Sequence, residues 1–375
     1  MRLALVGCGY VANFYRLTLP LHPELELVGV CDEDERRAKR MAALTSSRHF
    51  ENLDVMLEDQ AVELVLNLTN PSSHYEVTRR CLEAGRHVYT EKPIALEIEQ
   101  ARALVALAGD RQLVLSSAPC TLLNESAQTM WRAVRDQIVG QVRLAYAEMD
   151  DGMLHRMPVE RWVNEAGAPW PYRDEFATGC TVEHAGYVLT WLCAMFGPAE
   201  SVTAFSTTLV PDKLPDEGLE TTAPDLSIAC VKFTSGVVAR VTCGIYAPED
   251  RSLRIYGDEG VLETRDIRHD LSSVMARRYV SIRRRRMLLP WRKKIKMLSP
   301  PDRKKNPKGS EQRDFCSGIA EMVAAIREDR ACRLNADFCL HVNELTLAAH
   351  TALESSGAYR MTTSFDPIDP MPWAR

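Results

Sequence analysis

The stretch Arg2-Leu3-Ala4-Leu5-Val6-Gly7-Cys8-Gly9-Tyr10-Val11-Ala12 decides the fold. Residues 2–6 are a short apolar run, a candidate strand. A G-x-G-x-x-A turn follows at once, and Val11–Leu19 reads as a helix. Each small residue has a job. Gly7 permits the tight turn, Gly9 lets the backbone approach a pyrophosphate, and Ala12 allows close packing of helix on strand. The helix N-terminus then offers N–H groups to phosphate oxygens. A second apolar run, Leu25–Cys31, ends at Asp32, 23 residues after Gly9. An acid at that spacing accepts hydrogen bonds from both ribose hydroxyls and repels a 2′-phosphate. The reading is a dinucleotide site on Gly7, Gly9, Tyr10, Val11, Ala12 and Asp32, with NAD expected. Arg36 and Arg37 follow closely and leave NADP open. The alternative is a glycine turn with a purely structural role.

Working outward, strands and helices alternate. Val62–Leu68 is an apolar strand candidate ending in Thr69-Asn70-Pro71. His74–Ala84 has a helical pattern with Gly85 as its C-cap. His87–Thr90 is a short strand closed by Glu91-Lys92-Pro93, Ile94–Leu107 reads as a helix and Leu113–Ser117 as a strand. This alternation predicts a doubly wound parallel sheet. Ligands bind beyond the carboxyl ends of such strands, where Gly7–Ala12, Asp32, Thr69–Pro71 and Glu91–Pro93 all fall.

Composition limits the remaining choices. The chain has 375 residues, 46% of them hydrophobic and 26% charged, which excludes a mostly disordered, collagen-like or small disulfide-scaffold protein. Eleven cysteines stand alone with no C-x-x-C pair, so buried reduced thiols in a cytoplasmic protein are expected, with neither disulfides nor a metal site. No apolar run reaches membrane-spanning length; the longest, Val188–Phe196, stops at Gly197-Pro198. Leu5-Val6-Gly7-Cys8 is preceded by too short an apolar run to be a lipoprotein signal. The net charge is −5, but residues 277–308 hold fourteen Lys/Arg against the single acid Asp302, so this segment carries +13 and the rest −18. Nucleic-acid binding is not expected from a surface that is otherwise acidic.

With GCGYVA at the start, Asn67–His74, and above all AGRHVYTEKPIAL over 84–96, the sequence resembles the Gfo/Idh/MocA oxidoreductases, the family of glucose–fructose oxidoreductase and inositol dehydrogenase. The resemblance covers residues 1–120 well and the remainder in layout. It implies an α/β chain: a Rossmann domain over 1–120 and an α+β domain over 121–375. The second domain is expected to carry an open, mostly antiparallel sheet for substrate binding and oligomerisation as a homodimer or homotetramer. It implies that Lys92 lies beside nicotinamide and substrate, that the Lys92–Pro93 peptide is cis, and that Thr69, Asn70, Pro71, His74 and Glu91 help to hold the cofactor. The family's motif helix, roughly G-x-x-x-D-x-G-x-H-x-x-D, matches Gly179–Thr190, with Glu183, Tyr187 and Thr190 in place of its Asp, His and Asp. Glu183 and Tyr187 are i and i+4, on one helix face. His184 is a rival proton carrier. A free phenol, pKa about 10, is a poor base near neutral pH. A lysine cation roughly 5 Å away contributes about 3 kcal/mol at an effective ε of about 20, enough to make it a workable one.

Residues 155–178 mix aromatics with Arg and Asp. Arg161, Trp162, Trp170 and Tyr172 suit a sugar, since rings stack on pyranose C–H faces and charged groups bond to hydroxyls or phosphate. A packed Pro-anchored loop is the plainer reading. Later strands are expected at 142–148, 201–206, 227–233, 237–243, 253–256 and 260–264, with closing helices at 315–327 and Leu340–Glu354. The basic segment 277–308 reads first as a solvated, partly disordered loop. A peripheral patch for anionic membrane through 283–305 is the next reading, with Trp291 and Leu/Met residues at the interface; binding of substrate phosphates is the third. The functional expectation is an NAD(P)-dependent oxidoreductase moving hydride to or from a sugar, cyclitol or nucleotide-sugar hydroxyl. Tyr187, helped by Lys92, would carry the proton, and Glu183 would orient the substrate or tune Tyr187. A non-catalytic, dinucleotide-dependent sensor on the same fold is the alternative.

Overall fold

The structure is a computed structural model describing residues 1–214, 217–353 and 357–375. The chain divides into two compact units: residues 1–120, 157–178 and 306–343 form the first, and 121–156, 179–305 and 344–375 the second.

In the first unit β1 (Arg2–Val6), α1 (Ala12–Thr18), β2 (Glu26–Cys31), α2 (Glu35–Thr45), β3 (Arg48–His49), α3 (Leu53–Glu58), β4 (Leu64–Asn67), α4 (His74–Glu83), β5 (His87–Thr90), α5 (Ile98–Asp110) and β6 (Leu115–Ser117) alternate as the apolar runs predict. The six strands are parallel, in the order β3-β2-β1-β4-β5-β6. A parallel sheet with helical crossovers is covered on both faces, and Leu3, Ala4, Leu5, Val6 and Leu64–Asn67 are all buried. Register fixes the working edge. Val6 pairs with Cys31 and with Asn67, Asn67 with Thr90, and Thr90 with Ser117. Gly7, Asp32, Leu68 and Glu91 therefore leave the sheet at one edge, where strand order reverses between β2-β1 and β4.

Two local differences from expectation have clear causes. Helix α5 begins at Ile98 rather than Ile94, because the backbone of Ile94 and Ala95 is held by Asn343, whose Oδ1 accepts from Ile94 N–H (2.9 Å) and whose Nδ2 donates to Ala95 O (3.1 Å). The span 33–61 also holds α2 and α3, which start on side-chain caps: Asp34 accepts from Arg36 N–H and Asn52 from Val55 N–H.

The second unit opens with α6 (Glu125–Arg135) and β7 (Val142–Asp150); α7 (Tyr172–Thr178) belongs to the first, and α8 (Cys180–Phe196) to the second. Then come β8 (Ala199–Thr207), β9 (Asp212–Leu214), β10 (Leu219–Glu220), β11 (Leu226–Phe233), β12 (Val238–Gly244), β13 (Leu253–Gly257), β14 (Gly260–Thr264), β15 (Met275–Ile282), β16 (Arg285–Leu288) and β17 (Lys293–Lys294). The closing elements are α9 (Ser317–Arg327), α10 (Ala336–His350) and β18 (Tyr359–Arg360). The expected end of the last helix, Glu354, lies outside the described residues.

The large sheet runs β16-β15-β14-β13-β7-β12-β11-β8-β18, with β17 beside β15. Its pairs are antiparallel except β7 with β12. Strand β11 alternates strictly. Ala229, Val231 and Phe233 are buried on the side of α8, while Ile228, Cys230 and Lys232 are exposed. Helix α8 is apolar nearly all round, as a helix buried on a sheet must be.

The first part of the basic segment is sheet, against the expectation of a loop, while 295–308 are irregular as expected. β15 (275–282) extends the large sheet beside β14, turns through Arg283-Arg284, and returns as β16 (285–288). No Gly or Asn marks the turn; Arg283 itself takes the left-handed conformation at φ 55°. Ten of the eleven cysteines are buried, Cys230 is exposed, and all are free. Among the described residues no group of His, Cys, Asp or Glu could hold a metal ion, and no helix is long and apolar enough to cross a membrane.

Candidate active site

The nucleotide loop leaves β1 at Gly7, whose φ is +91°. A Cβ there would stand 2.6 Å from the backbone of Leu68, so the loop tolerates only glycine. At Gly9 a Cβ would meet nothing within 4 Å, which leaves that side of the loop open. The amides of Gly9, Tyr10 and Val11 have no hydrogen-bond acceptor among the described residues. Ala12 is fully buried against the sheet at the start of α1. Asp32 closes the loop from β2: Oδ2 accepts from Cys8 N–H (2.6 Å) and Oδ1 from Asp34 N–H (2.7 Å). Each carboxylate oxygen keeps a further lone pair, so ribose hydroxyls can still be accepted. Arg36 and Arg37, the groups that would welcome a 2′-phosphate, both pair with Asp34. An open glycine cradle, unengaged amides and an acid at the next strand end are the donor and acceptor set that a dinucleotide requires.

The turn after β4 and the turn after β5 are tied together by His74. Its buried ring spans two carbonyls, Nδ1 to Pro93 O at 2.6 Å and Nε2 to Thr69 O at 2.9 Å. Burial pushes its pKa down, against the pull of these two acceptors. Glu91 is buried too. Its Oε1 accepts from Tyr15 Oη (2.7 Å) and its Oε2 from Lys92 N–H (3.1 Å). Both residues thus sit at the carboxyl edge of the sheet and shape the backbone around half-buried Lys92 and the cis Lys92–Pro93 peptide.

The aromatic segment 157–178 lies against this same edge. Asn164 Nδ2 donates to Tyr10 O (3.0 Å), and exposed Asn70 donates through Nδ2 to Asp174 (2.7 Å). Arg16 pairs with Glu165 at 3.0 Å. Within it the half-buried rings of Trp162 and Trp170 pack with centroids 5.1 Å apart, and Trp170 meets Phe176 edge-on. Arg173 sits over the Tyr172 ring, whereas Arg161 is exposed and paired with its neighbour Glu160.

In the second unit, Tyr187 is the only residue of α8 between Cys180 and Cys193 that is not buried. The Arg268 guanidinium stands over its ring, 4.9 Å from the centroid. Arg268 in turn reaches Asp151 at 3.1 and 3.2 Å. Asp151 also takes Arg251 Nε at 2.6 Å and pairs closely with His184. Burial alone would raise the Asp151 carboxyl; His184, Arg268 and Arg251 outweigh it and hold it well below the usual carboxylate range. His184 is thus committed to Asp151 on the same helix that presents Tyr187. Thr190, where the family motif has an acid, is buried and turns its hydroxyl to Gly186 O (2.6 Å). Glu183 is buried. Asp151, Arg251 and Arg268 are charged groups that the sequence reading missed. The available signal was Asp150-Asp151-Gly152, an acid pair where β7 ends.

Known proteins fit this picture. Residues 1–118 match a family model described as an oxidoreductase family with an NAD-binding Rossmann fold, and residues 127–263 match the GFO/IDH/MocA C-terminal domain. An uncharacterised oxidoreductase of Synechocystis is 24% identical over 269 residues, covering 70% of this chain and 71% of the relative. The UDP-N-acetylglucosamine 3-dehydrogenase of Acidithiobacillus ferrooxidans is 34% identical over 116 residues, 31% of this chain and 36% of that protein. The WlbA dehydrogenase of Bordetella pertussis, solved with NADH and UDP-GlcNAcA, shares the fold with a TM-score of 0.72 at 18% identity, covering 97% of this chain and 98% of that one.

Proposed function

The chain belongs to the Gfo/Idh/MocA oxidoreductase family, and from that premise we propose that it is a nicotinamide-dependent dehydrogenase or reductase of a CH–OH group on a sugar, cyclitol or nucleotide sugar. The observation that carries this is the common sheet edge. Gly7, Asp32, the Thr69 turn and Glu91-Lys92 leave parallel strands in register, beside a glycine cradle open to a ligand. Asp32, with Arg36 and Arg37 engaged elsewhere, favours NAD over NADP. When bound, the nicotinamide accepts or donates the hydride.

The chain's own residues supply the rest. The amides of Gly9–Val11 hold phosphate and Asp32 holds ribose. Tyr187 takes the substrate hydroxyl proton in the oxidative direction and returns one in the reductive direction. Arg268 over its ring provides the positive charge that a developing phenolate requires, and Asp151 with Arg251 fixes Arg268 in place. Lys92 acts beside the nicotinamide, as the family resemblance implies. His184, already paired with Asp151, serves the Tyr187 helix rather than the proton. Trp162 and Trp170 offer ring faces for a pyranose. The partial likeness to a UDP-N-acetylglucosamine 3-dehydrogenase makes nucleotide sugars the first substrates to try.

The uncovered face of the large sheet supports assembly as a homodimer or homotetramer. Phe205 (58% exposed) and Ile228 (41%) lie side by side there, next to the Arg240–Tyr146 stack. Light scattering of the purified chain tests this. The activity is tested by screening UDP-sugars and inositols with NAD and NADP, reading reduced nicotinamide, and comparing Tyr187→Phe with His184→Gln. Loss in the first with survival of the second supports the assignment, and the reverse overturns it.

A further inference from the structure

The β15–β16 hairpin is an edge of the large sheet that combines two properties rarely placed together. Pairing puts Val280 opposite Met287 and Ile282 opposite Arg285. Paired residues and their i±2 neighbours share a face, so Arg278, Val280, Ile282, Arg285 and Met287 lie on one side of the hairpin. Ile282 is 54% exposed and Met287 46%, and just beyond the return strand Trp291 is 72% exposed. Around them Arg283, Arg284, Arg285, Lys293, Lys294 and Lys296 are exposed and have no carboxylate partner among the described residues. Arg286 and Arg292 do have partners, Glu259 and Glu263, which tie the hairpin to the sheet and hold it in position.

We propose that this hairpin docks the protein on an anionic phospholipid surface, with Ile282, Met287 and Trp291 entering the interface and the Arg/Lys cluster facing lipid phosphates. Apolar tips ringed by cations are what the headgroup boundary accepts. Charge complementarity selects the occupant. Residues 277–296 hold ten Arg/Lys and no acid while the rest of the chain carries −15, so a negative surface attracts this edge more than the remainder. A second copy fits poorly, since two-fold pairing of this edge sets the Arg283–Arg286 run against itself. Nucleic acid would use the cations but has little use for exposed Ile282 and Met287, and with Tyr279 half-buried Trp291 is a single exposed ring rather than a stacking series. The proposal stands apart from the oxidoreductase reading and does not depend on it.

The test is co-sedimentation of the full chain with vesicles of phosphatidylcholine alone or with about one third phosphatidylserine. Two triple variants accompany it: Arg283→Gln/Arg284→Gln/Arg285→Gln, and Ile282→Ser/Met287→Ser/Trp291→Ser. An unchanged circular dichroism spectrum and unfolding midpoint certify that each is folded. The expected result is pelleting on anionic vesicles only, weakened by salt, and reduced at least tenfold in both variants. A Trp emission shift on vesicle addition should be absent in Trp291→Phe. Failure to pellet at low salt overturns the proposal, as does equal pelleting of wild type and both variants. Loss in the charge variant alone, with an oligonucleotide bound as tightly as vesicles, also overturns it and assigns the patch to phosphate polymers.

Discussion

Asp32 and Asp151 do formally similar work in opposite ways. Asp32 follows β2 and accepts from amides of the two adjacent turns, Cys8 N–H and Asp34 N–H, so its surroundings come from local chain geometry. Asp151 follows β7 and is surrounded by charges from α8 and from the chain on either side of β13 and β14, namely His184, Arg251 and Arg268. The first carboxylate is partly open and keeps acceptor capacity for a ligand. The second is buried and consumed by the fold, and its product is the orientation of Arg268 over Tyr187. One carboxylate keeps capacity unsatisfied, and the other is spent on groups of the fold.

The sharpest way to break this contrast is at the reacting groups. Tyr187→Phe and Lys92→Met should each lower kcat by about 10²–10⁴-fold, the range of a positioned proton carrier. Next is Asp151→Asn, which leaves two arginines around a neutral amide. Removing one partner of a buried ionic cluster costs roughly 3–5 kcal/mol, read by urea unfolding. Asp32→Ala, by contrast, should leave the unfolding midpoint nearly unchanged. It should weaken NADH binding roughly 10–100-fold, the loss of charged hydrogen bonds of about 1.5–3 kcal/mol. NADPH should be affected less, and fluorescence titration separates the two.

The smallest effects are pH-dependent. Burial and the neighbouring acids Glu148, Asp250 and Asp151 raise Asp150 from 3.8 to about 6. The fold therefore favours its protonated form, and that contribution is present at low pH and lost as pH rises through about 6. Asp150→Asn should raise the melting temperature above pH 6 and give no gain below pH 4. Glu344 has the opposite sign. Burial would raise it, but hydrogen bonds from Thr362, Thr363 and Tyr359 hold it at about 2. Its contribution is complete above about 4.5 and lost as pH falls toward 2. Glu344→Gln should steepen neither limb above pH 5 but should flatten the acid limb of the unfolding profile.

The same contrast explains what the sequence reveals. Arg2–Ala12 and Asp32 are legible because a strand, a glycine turn and an acid at fixed spacing are local events, and Glu91-Lys92-Pro93 is short enough to read whole. The Asp151 cluster is not legible, since Arg251 and Arg268, 100 and 117 positions away, meet Asp151 only through sheet register. Hairpin β15–β16 was hidden for another reason. Its turn is Arg283-Arg284, and nothing in arginine signals the left-handed backbone that the packed strands impose. Helix α5 starts late because Asn343, far along the chain, captures Ile94 and Ala95.

The central claim is that the Gly7–Asp32 cradle holds a nicotinamide dinucleotide, and freshly purified protein tests it most directly. Nucleotide released by heat is identified with its redox state, and the emptied protein is titrated with NADH and NADPH beside Gly7→Ala. The account predicts tight NADH binding, weaker NADPH binding, and loss of both in the variant. If nothing is released and neither cofactor binds the wild-type chain, the dehydrogenase reading is contradicted.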